Sequence, residues 1–337
     1  MKCRMTDYVE SNLDWEQAEY EKAGIDFTAF QLRGADTDEV AAALADSDVL
    51  IVNEVQVSRP VLEAMERCRL VIRHGDGYDN IDTTAATELG IVCANEPGVW
   101  TEEVADQALG FLYGLLLKLP IQRSVAREVR DGSERPWDLD RVYPVRRVGE
   151  NVVGVIGFGK IGKAVARRLK ALGFELLVHD PYVGPEAVST ITGREPSSLQ
   201  EVLAGSDAVT LHVPATPETV GMIDAAALRQ MKESAVLVNT SRGAVVVTDD
   251  LVQALRDRRI AAAALDVTSP EPLPSDHPLL AMENVVVTPH LAWYSDDALW
   301  AMRKSIVEDV LAFQAGRLPD SVVNAEVLQS QALRFKA

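Results

Sequence analysis

The sequence predicts an α/β protein built from two units with parallel sheets, the second of which is doubly wound. Three observations support this prediction. The chain has 337 residues, which is longer than one typical domain. Short β-rich runs alternate with segments of helical spacing along most of its length. Six of these runs follow Asn151, and helical segments stand between them, as in parallel sheets with crossover helices.

The first unit is predicted to cover residues 1–98. Its strands are expected in the β-rich runs ADSDVLIVN, RLVIRHG and GIVCAN. The segments DEVAAALA, SRPVLEAMERC and DTTAATELG have helical spacing and plausible Ser or Asp caps. This alternation is typical of a parallel sheet.

A long helix is predicted next, in TEEVADQALGFLYGLLLKLPIQRSVAREVRDG, with Thr101 as its N-cap. Its middle part is apolar almost all round, so the helix has to be buried between domains or between subunits. The polar, proline-containing segment DGSERPWDLDRVYPVRR then predicts a loop.

The second unit is predicted to contain six strands, in NVVGVIG, FELLVHD, SDAVTLHV, SAVLVNT, RIAAAALDV and NVVVTPH. Six parallel strands with helices between them indicate a doubly wound sheet of the dinucleotide-binding type. The segment after His290 has the pattern of a helix followed by a loop. Packing of this helix on the first unit would make that unit discontinuous.

Composition and charge exclude several classes of protein. A share of 47% apolar and 25% charged residues is ordinary for a soluble enzyme, and no apolar run approaches the roughly 20 residues that span a bilayer. The formal net charge of -18 argues against nucleic acid or an anionic membrane as a partner. The three cysteines lack metal-ligand spacing, and residues 1–10 lack the pattern of a secretory signal. We therefore expect a cytoplasmic protein without a metal site.

A glycine-rich turn stands between the first strand of the second unit and the following helical segment. Its first glycine permits a tight turn, its second lets the backbone approach a pyrophosphate, and its third lets helix and strand pack closely. The unpaired N–H groups and the dipole of the helix N-terminus then favour the phosphates. In this strand–turn–helix context the turn predicts a dinucleotide site. It consists of Gly157, Phe158, Gly159, Lys160, Ile161 and Gly162.

Asp180 ends the next predicted strand, 18 residues after Gly162. Its carboxylate is expected to accept hydrogen bonds from both ribose hydroxyls of the adenosine half and to repel a 2′-phosphate. The surrounding residues, HDPY, include no arginine that would bind such a phosphate. NAD is therefore favoured over NADP as the cofactor, and a plain turn before Pro181 is the alternative role of this aspartate.

Arg242, Glu271 and His290 follow apolar strand-like runs within 48 positions of one another. The planar guanidinium of Arg242 matches a carboxylate bidentately and can polarise the adjacent carbonyl. A carboxylate beside His290, which Glu271 would supply, raises the imidazole pKa so that it can donate a proton at neutral pH. Together they are the groups needed to bind and protonate a 2-oxo acid. Taken singly, each also fits a solvated or structural residue.

Asp266 ends the run AAAALDV, where a buried carboxylate needs a hydrogen-bond donor. The carboxamide of a nicotinamide is a suitable donor. A helix cap is the alternative role.

These motifs resemble those of the D-isomer-specific 2-hydroxyacid dehydrogenases, in order and over nearly the whole chain. The matching strings are VIGFGKIG, HDPY, TLHVPATPET, LVNTSRGAVV, AALDVTSPEPLP and VVTPHLAWYS. The resemblance implies an NAD-binding Rossmann domain, residues 99–290, inserted in a discontinuous flavodoxin-like substrate domain formed by residues 1–98 and 291–337. It also implies a homodimer, and Arg242, Glu271 and His290 as the catalytic set.

The resemblance implies further binding residues. Arg73 would reach the substrate carboxylate, and Trp293 would contact the substrate side chain as an apolar wall. Asp76 and Gly77 lie in the substrate loop, where Asp76 and the preceding His74 depart from the small or neutral residues usual in the family. The cofactor would also contact His212, Val213, Pro214, Thr219, Thr240 and Asp266.

Within the family, RHGDGYDNID, TEEVAD, TPHLAWYSDDA and GRLPDSVVN look most like the branch of the C-terminal-binding proteins and phosphoglycerate dehydrogenases. The predicted function is NAD-dependent interconversion of a 2-oxo acid and a D-2-hydroxy acid by hydride transfer. The rival is an NADH-sensing dimeric scaffold that recruits partners. A third possibility is a different hydride transfer with the same groups, such as phosphite oxidation.

Overall fold

The computed structural model describes residues 1–130 and 137–335. The chain divides into two compact units. Unit 1 consists of Met1–Val99 and Ser295–Ala337, and unit 2 is Trp100–Tyr294. The predicted boundaries after residues 98 and 290 lie one and four residues before these divisions. Each unit is α/β with a parallel sheet, so the predicted fold class is confirmed.

Within its described residues, unit 1 contains one five-stranded parallel sheet and five α-helices. Its strands are β1 (Lys2–Met5), β2 (Asp26–Ala29), β3 (Val49–Val52), β4 (Leu70–Arg73) and β5 (Val92–Ala94). Its helices are α1 (Asp14–Lys22), α2 (Thr37–Leu44), α3 (Arg59–Ala64), α4 (Thr83–Glu88) and, from the second segment, α13 (Asp296–Gln314). The strand order β2-β1-β3-β4-β5 is that of flavodoxin-like sheets.

Strands β1 and β2 do not stand out in the sequence, because charged residues interrupt their short apolar patterns. Arg4 lies in β1 and is only 6% exposed. Its Nε donates to Asp46 Oδ1 at 3.0 Å, and its Nη1 donates to the Asp26 carbonyl at 2.8 Å. Since these partners satisfy the guanidinium, a cation is tolerated inside a sheet where hydropathy alone indicates a loop.

The second segment of unit 1 packs on the first. In α13, Arg303 Nε and Nη2 donate to the Glu16 carboxylate at 2.5 and 2.6 Å. Beyond α13, the side chain of Asn324 is buried beside β5. Its Oδ1 accepts from Cys93 N–H at 2.8 Å, and its Nδ2 donates to the Ile91 carbonyl and to Thr87 Oγ1, both at 3.0 Å.

In the part of unit 2 that the structure describes, there is one six-stranded parallel sheet. Its strands are β6 (Val152–Ile156), β7 (Glu175–His179), β8 (Ala208–Leu211), β9 (Val236–Asn239), β10 (Ala262–Leu265) and β11 (Val285–Val287). Its helices are α5 (Thr101–Leu116), α6 (Leu119–Arg130), α7 (Lys160–Ala171), α8 (Pro185–Thr192), α9 (Leu199–Gly205), α10 (Ala225–Gln230), α11 (Thr248–Arg256) and α12 (Pro278–Ala281). All six predicted strands of this unit are confirmed.

The strands of unit 2 are ordered β11-β10-β9-β8-β6-β7. Dinucleotide-binding sheets commonly have a further strand beside the second one. Here the chain before α9 runs beside β7 without forming a full strand. Its Ser197 N–H donates to the Val178 carbonyl of β7 at 2.7 Å. Helices α5, α7 and α8 bury one face of the sheet, and α9, α10 and α11 bury the other.

The prediction of a single long helix after residue 100 is wrong. The chain forms α5 and α6, which are bent by 57° relative to each other. Thr101 is the first residue of α5, and Trp100 is the N-cap. Lys118 has a φ of 55°, which a continuous helix does not allow, and Pro120 lacks the N–H that would bond to the preceding turn.

The apolar face of α5 contributes Phe111, Leu112 and Leu115 to the core of unit 2. Among the described residues, no single helix has the length and apolar character needed to cross a membrane. Helices α5 and α6 together meet that test only as a bent pair. In the predicted loop that follows, residues 131–136 lie outside the described part of the chain, and Leu139–Arg141 and Val148–Glu150 form short 3-10 helices.

We predict that Asn324→Ala lowers the free energy of unfolding of unit 1 by about 2–4 kcal/mol, because it leaves buried groups of Cys93 and Ile91 without their partner. Urea unfolding followed by circular dichroism measures this change. Gln314→Ala is the matched control, since this exposed amide makes one hydrogen bond, to the Ala23 carbonyl. Equal stability of the two variants would contradict the role of Asn324.

Candidate active site

The three residues predicted for catalysis follow neighbouring strands of unit 2. Arg242 follows β9, Glu271 follows β10, and His290 follows β11. Since these strands are adjacent and parallel, their carboxyl ends lie at one edge of the sheet. This edge is where open α/β sheets bind their ligands.

A buried asparagine shapes the turn that carries Arg242. Asn239 is the last residue of β9 and is 0% exposed. Its Oδ1 accepts from Ser241 N–H at 3.0 Å and from Ser241 Oγ at 2.8 Å, and its Nδ2 donates to the Arg242 carbonyl at 2.9 Å. The half-buried Arg242 side chain donates from Nη1 to the Ser241 carbonyl at 2.7 Å. The buried side chain of Asn239 therefore holds the backbone on both sides of Arg242.

Gly243 lets the turn after β9 lie against the loop after β10. A Cβ atom at this position would come within 2.0 Å of the Thr268 carbonyl oxygen, so no other residue fits without moving the backbone. Thr268 N–H in turn donates to Glu271 Oε2 at 3.0 Å. Thr268 thus contacts both the turn that carries Arg242 and the carboxylate of Glu271.

Glu271 and His290 are in direct contact, with Oε1 and Nδ1 2.6 Å apart. Burial lowers the pKa of His290, but the hydrogen bond and the charge of Glu271 outweigh it, and the pKa lies above the ordinary value. Burial raises the pKa of Glu271, but the hydrogen bonds from His290 and Thr268 outweigh it, and this pKa lies below its ordinary value. The side chains of His290 and Glu271 are 42% and 39% exposed, so water weakens the attraction without removing it.

The backbone of His290 adopts a left-handed conformation, with a φ of 54°. For a residue other than glycine this conformation costs about 1–2 kcal/mol, so it has to be held by its surroundings. His290 N–H donates to the Asp266 carbonyl at 2.9 Å and to the Thr288 carbonyl at 3.0 Å. The His290 carbonyl accepts from the indole N–H of Trp293 at 2.9 Å.

The Asp266 carboxylate holds the same loop and is 2% exposed. Its Oδ1 accepts from Thr288 Oγ1 at 2.5 Å and from Leu291 N–H at 3.0 Å, and its Oδ2 accepts from Ala292 N–H at 2.9 Å. The donor that the sequence requires for this carboxylate is therefore supplied by the protein itself. The predicted contact with a nicotinamide carboxamide would add to these bonds and stays a prediction.

The glycine-rich turn has the close contacts that its spacing predicts. Gly157 has a φ of 90°, and a Cβ atom there would lie 2.4 Å from the His212 carbonyl oxygen. A Cβ atom on Gly162 would lie 2.0 Å from the Gly157 carbonyl oxygen, so α7 packs directly on the turn. Gly159 is the N-cap of α7, and a Cβ atom there would meet no atom of the described residues within 4 Å. This open space at a helix N-terminus fits a pyrophosphate.

Asp180 lies directly after β7 and is held against the glycine-rich turn. Its Oδ2 accepts from Phe158 N–H at 2.6 Å, and its Oδ1 accepts from Tyr182 N–H at 2.9 Å. Phe158 itself is fully buried, whereas Lys160 and Ile161 begin α7. The acidic side chain is thus fixed where a ribose of a dinucleotide is expected.

The other predicted cofactor residues lie after β8 and β9. His212 and Val213 pack against Gly157, and burial lowers the pKa of His212 to about 3, so its ring is neutral. Thr219 closes the loop after β8 by donating from Oγ1 to the Pro214 carbonyl at 2.5 Å. Thr240 Oγ1 is buried and has no hydrogen-bond partner among the described residues.

Three features of unit 2 bear on whether it can bind a dinucleotide. The open N-terminus of α7 suits the phosphates, the fixed Asp180 carboxylate suits a ribose, and the buried Thr240 hydroxyl lacks a partner that a ligand could supply. The residues present therefore fit an NAD-type cofactor. Within residues 1–130 and 137–335, no group of three or more His, Cys, Asp or Glu side chains is arranged to hold a metal ion.

The residues predicted to bind substrate in unit 1 follow β4. Arg73 ends β4 and donates from Nη1 to the His74 carbonyl at 2.5 Å. His74 is 6% exposed, and its Nε2 lies 3.0 Å from Glu10 Oε1. Burial raises the pKa of Glu10, but the hydrogen bond and charge of His74 lower it below the ordinary value. The departure at position 74 is thus accommodated as a buried pair.

The carbonyl of Asp76 accepts from Asn95 Nδ2 at 2.6 Å, and the partly buried Gly77 follows it. In unit 2, Trp293 packs on Trp100, with ring centroids 5.1 Å apart. Sequence reasoning missed Asn239, Thr268 and Trp100. A polar residue at a strand end is a visible signal for Asn239, whereas no local pattern points to the other two.

Residues 115–292 match the family model for "D-isomer specific 2-hydroxyacid dehydrogenase, NAD binding domain". A glyoxylate reductase from Korarchaeum cryptofilum is 40% identical over 284 residues, which cover 83% of this chain and 83% of the relative.

Two solved structures are similar over the length of the chain. D-lactate dehydrogenase from Aquifex aeolicus, complexed with NAD and lactic acid, has a TM-score of 0.84 and 25% identity over 96% of this chain and 99% of that one. The NADPH-dependent glyoxylate/hydroxypyruvate reductase from Sinorhizobium meliloti, in complex with NADP and malonate, has a TM-score of 0.81 and 27% identity over 100% of this chain and 98% of that one. With the family model and the close relative, these matches show that the chain belongs to the family of D-isomer specific 2-hydroxyacid dehydrogenases.

Proposed function

We propose that the protein is an NAD-dependent dehydrogenase that interconverts a small 2-oxo acid and the corresponding D-2-hydroxy acid. The observation that carries the proposal is the 2.6 Å contact between His290 Nδ1 and Glu271 Oε1, at the same sheet edge as Arg242. A proton donor with a raised pKa and a cation for the substrate carboxylate are the groups that reduction of a 2-oxo acid requires.

Each residue has a separate part in the reaction. Arg242 binds the substrate carboxylate and polarises the C2 carbonyl, with about 1.5–3 kcal/mol for each charge-assisted hydrogen bond. Since Nδ1 of His290 contacts Glu271, Nε2 is the atom that donates the proton to the C2 oxygen. Glu271 stabilises the imidazolium before the transfer. A bound nicotinamide supplies the hydride.

We propose Arg73 as a second ligand of the substrate carboxylate, and Trp293 as an apolar contact for the substrate tail. The family sequence motifs support both roles. Asp76 and Gly77 would complete the substrate loop of unit 1. Because the relatives act on acids as small as glyoxylate, glyoxylate and hydroxypyruvate are the first substrates to test.

NAD is the proposed cofactor. Members of this fold family use either dinucleotide, since the Aquifex aeolicus enzyme was solved with NAD and the Sinorhizobium meliloti enzyme with NADP. In this chain the carboxylate of Asp180 is fixed by Phe158 N–H and would repel a 2′-phosphate. This carboxylate supports NAD.

A cytoplasmic homodimer is also proposed. All three cysteines are free and buried, and burial raises the pKa of the Cys68 thiol to about 12, as suits structural thiols in a reducing compartment. Large apolar side chains exposed near α6 support a subunit contact, namely Leu119, Trp137, Leu139 and Tyr143. The rival scaffold function is not favoured, because the relatives are enzymes and this chain retains all three residues of the proposed catalytic set.

The proposed function is tested by NADH consumption with a panel of 2-oxo acids that differ in tail, with NADPH in parallel. We expect turnover of at least one acid to its D-2-hydroxy product, faster with NADH. Tight NADH binding without turnover of any acid would contradict the proposal and favour the scaffold.

We predict that His290→Asn lowers kcat for reduction by about 10²–10⁴-fold while NADH binding is retained, because only the proton donor is lost. Stopped-flow rates and NADH fluorescence measure the two effects. His277→Asn is the matched control, because His277 caps α12 and asparagine is also a good cap. Wild-type turnover by His290→Asn would exclude His290 as the acid.

The rate of reduction should fall as pH rises through the pKa of His290, because the reaction needs the protonated imidazole. Glu271→Gln keeps a hydrogen-bonding side chain but removes the charge that raises this pKa. We therefore expect the fall in kcat/KM to occur at lower pH in this variant. An unchanged pH profile would show that Glu271 does not set the protonation of His290.

We predict that Asp180→Asn raises kcat/KM for NADPH relative to NADH by about tenfold, because the repulsion of the 2′-phosphate is lost together with a ribose acceptor. The ratio of the two cofactors is measured with a saturating 2-oxo acid. Glu186→Gln removes an exposed acid from α8 and is the control. An equal change in both variants would point to net charge rather than to Asp180.

A further inference from the structure

The carbonyl of His290 has an unusual hydrogen-bond donor. It accepts from the indole N–H of Trp293 at 2.9 Å, three residues further along the chain. The peptide on the other side of His290 is held by the Asp266 carbonyl, which accepts His290 N–H at 2.9 Å. The candidate proton donor is thus held through its own main chain on both sides, by the backbone carbonyls of Asp266 and Thr288 and by the side chain of Trp293.

We propose that Trp293 is a positioning residue, whose indole N–H fixes the His290 main chain and thereby keeps the imidazole in contact with Glu271. This inference rests on the proposed role of His290 as proton donor. It is separate from the proposed contact of Trp293 with a substrate tail, because the hydrogen bond is made without substrate.

The backbone conformation of His290 explains why such a bond matters. A φ of 54° lies in the left-handed region, which residues with a side chain rarely adopt unless neighbouring groups hold them there. The indole bond restrains the peptide that follows His290. Without it, this peptide can rotate toward a more common conformation, and the Cβ atom that directs the imidazole turns with it.

The position of Trp293 is itself supported by aromatic packing within unit 2. Its ring lies 5.1 Å from the ring of Trp100 at an angle of 56°, and 5.5 Å from that of Tyr294 in an edge-on arrangement. Indole N–H is a donor only, so the contact with the His290 carbonyl uses the one polar atom of the side chain. The Trp293 ring therefore packs on its aromatic neighbours, while its N–H bonds to the His290 carbonyl.

Glyoxylate distinguishes a positioning role from contact with a substrate tail, because its C2 carries a hydrogen atom in place of a side chain. Trp293→Phe retains an aromatic ring but lacks the N–H. If Trp293 only contacts the tail, this variant should reduce glyoxylate like the wild type. If it positions His290, kcat should fall by roughly threefold to tenfold with every 2-oxo acid, glyoxylate included, with little change in KM.

The second readout is the titration of His290, followed by NMR of the imidazole C–H groups in a protein with five histidines. The charged groups that act on this ring are Glu271, Asp266 and Arg242, and Trp293→Phe alters none of them. Loss of the Glu271 contact should move the pKa of His290 toward its ordinary value. The fall in the rate of reduction with rising pH should then occur at lower pH as well.

Trp300→Phe is the matched control, since it removes an indole N–H from α13 of unit 1, where the Trp300 ring packs on Trp15. Trp100→Leu is a second test, because it loosens the packing of Trp293 and leaves its N–H in place, and a smaller shift in the same direction is expected. Thermal unfolding and NADH binding show that each variant is folded. An unchanged kcat for glyoxylate together with an unchanged His290 titration in Trp293→Phe would overturn the proposal.

Failure of the proposed function gives a different result. If the wild-type protein reduces no 2-oxo acid, the NMR titration still decides whether Trp293 keeps His290 beside Glu271. A shifted titration in Trp293→Phe would then support the positioning role and leave the reaction to be found.

Discussion

The Asp266 carboxylate accepts three hydrogen bonds from the loop after β11, and the Asp266 carbonyl accepts a fourth from His290 N–H. Asp266 N–H also donates to the Asn239 carbonyl at the end of β9. One buried residue directly after β10 therefore joins the ends of three neighbouring strands. The geometry of the candidate site depends on this residue, because the left-handed turn of His290 is not a conformation that the local sequence would adopt by itself.

The electrostatics of the site suit an anionic substrate in an acidic protein. The chain has a formal net charge of -18, which repels an oxo acid at a distance. At the site, the positive charges of Arg242 and the protonated His290 offset the negative charges of Glu271 and Asp266. The raised pKa of His290 and the lowered pKa of Glu271 both favour this ionised pair. The pair would therefore hold a proton for the proposed reaction without adding net negative charge where the substrate carboxylate is proposed to bind.

Each unit presents polar groups at the carboxyl edge of its own parallel sheet. In unit 2 these groups are organised by backbone contacts, such as the close approach of Gly243 to Thr268. In unit 1, Arg73 lies beside the buried His74–Glu10 pair. Burial of that pair shows how the unusual histidine is accommodated without a new charge on the surface. Both arrangements follow from the same rule, since parallel strands bring distant residues to one edge.

The fold class, the six strands of unit 2 and the glycine-rich turn could be predicted from the sequence alone, because they depend on hydropathy period and on glycine spacing, which are local properties. The sequence also indicated that Arg242, Glu271 and His290 belong together, and the structure brings their strand ends side by side. It did not reveal β1, where the partners of Arg4 are distant in sequence, or the break at Lys118. The donors to Asp266 and the bond from the Trp293 indole to the His290 carbonyl are visible only in the folded chain. These contacts depend on the packing of loops from different strands, and no spacing along the chain encodes them.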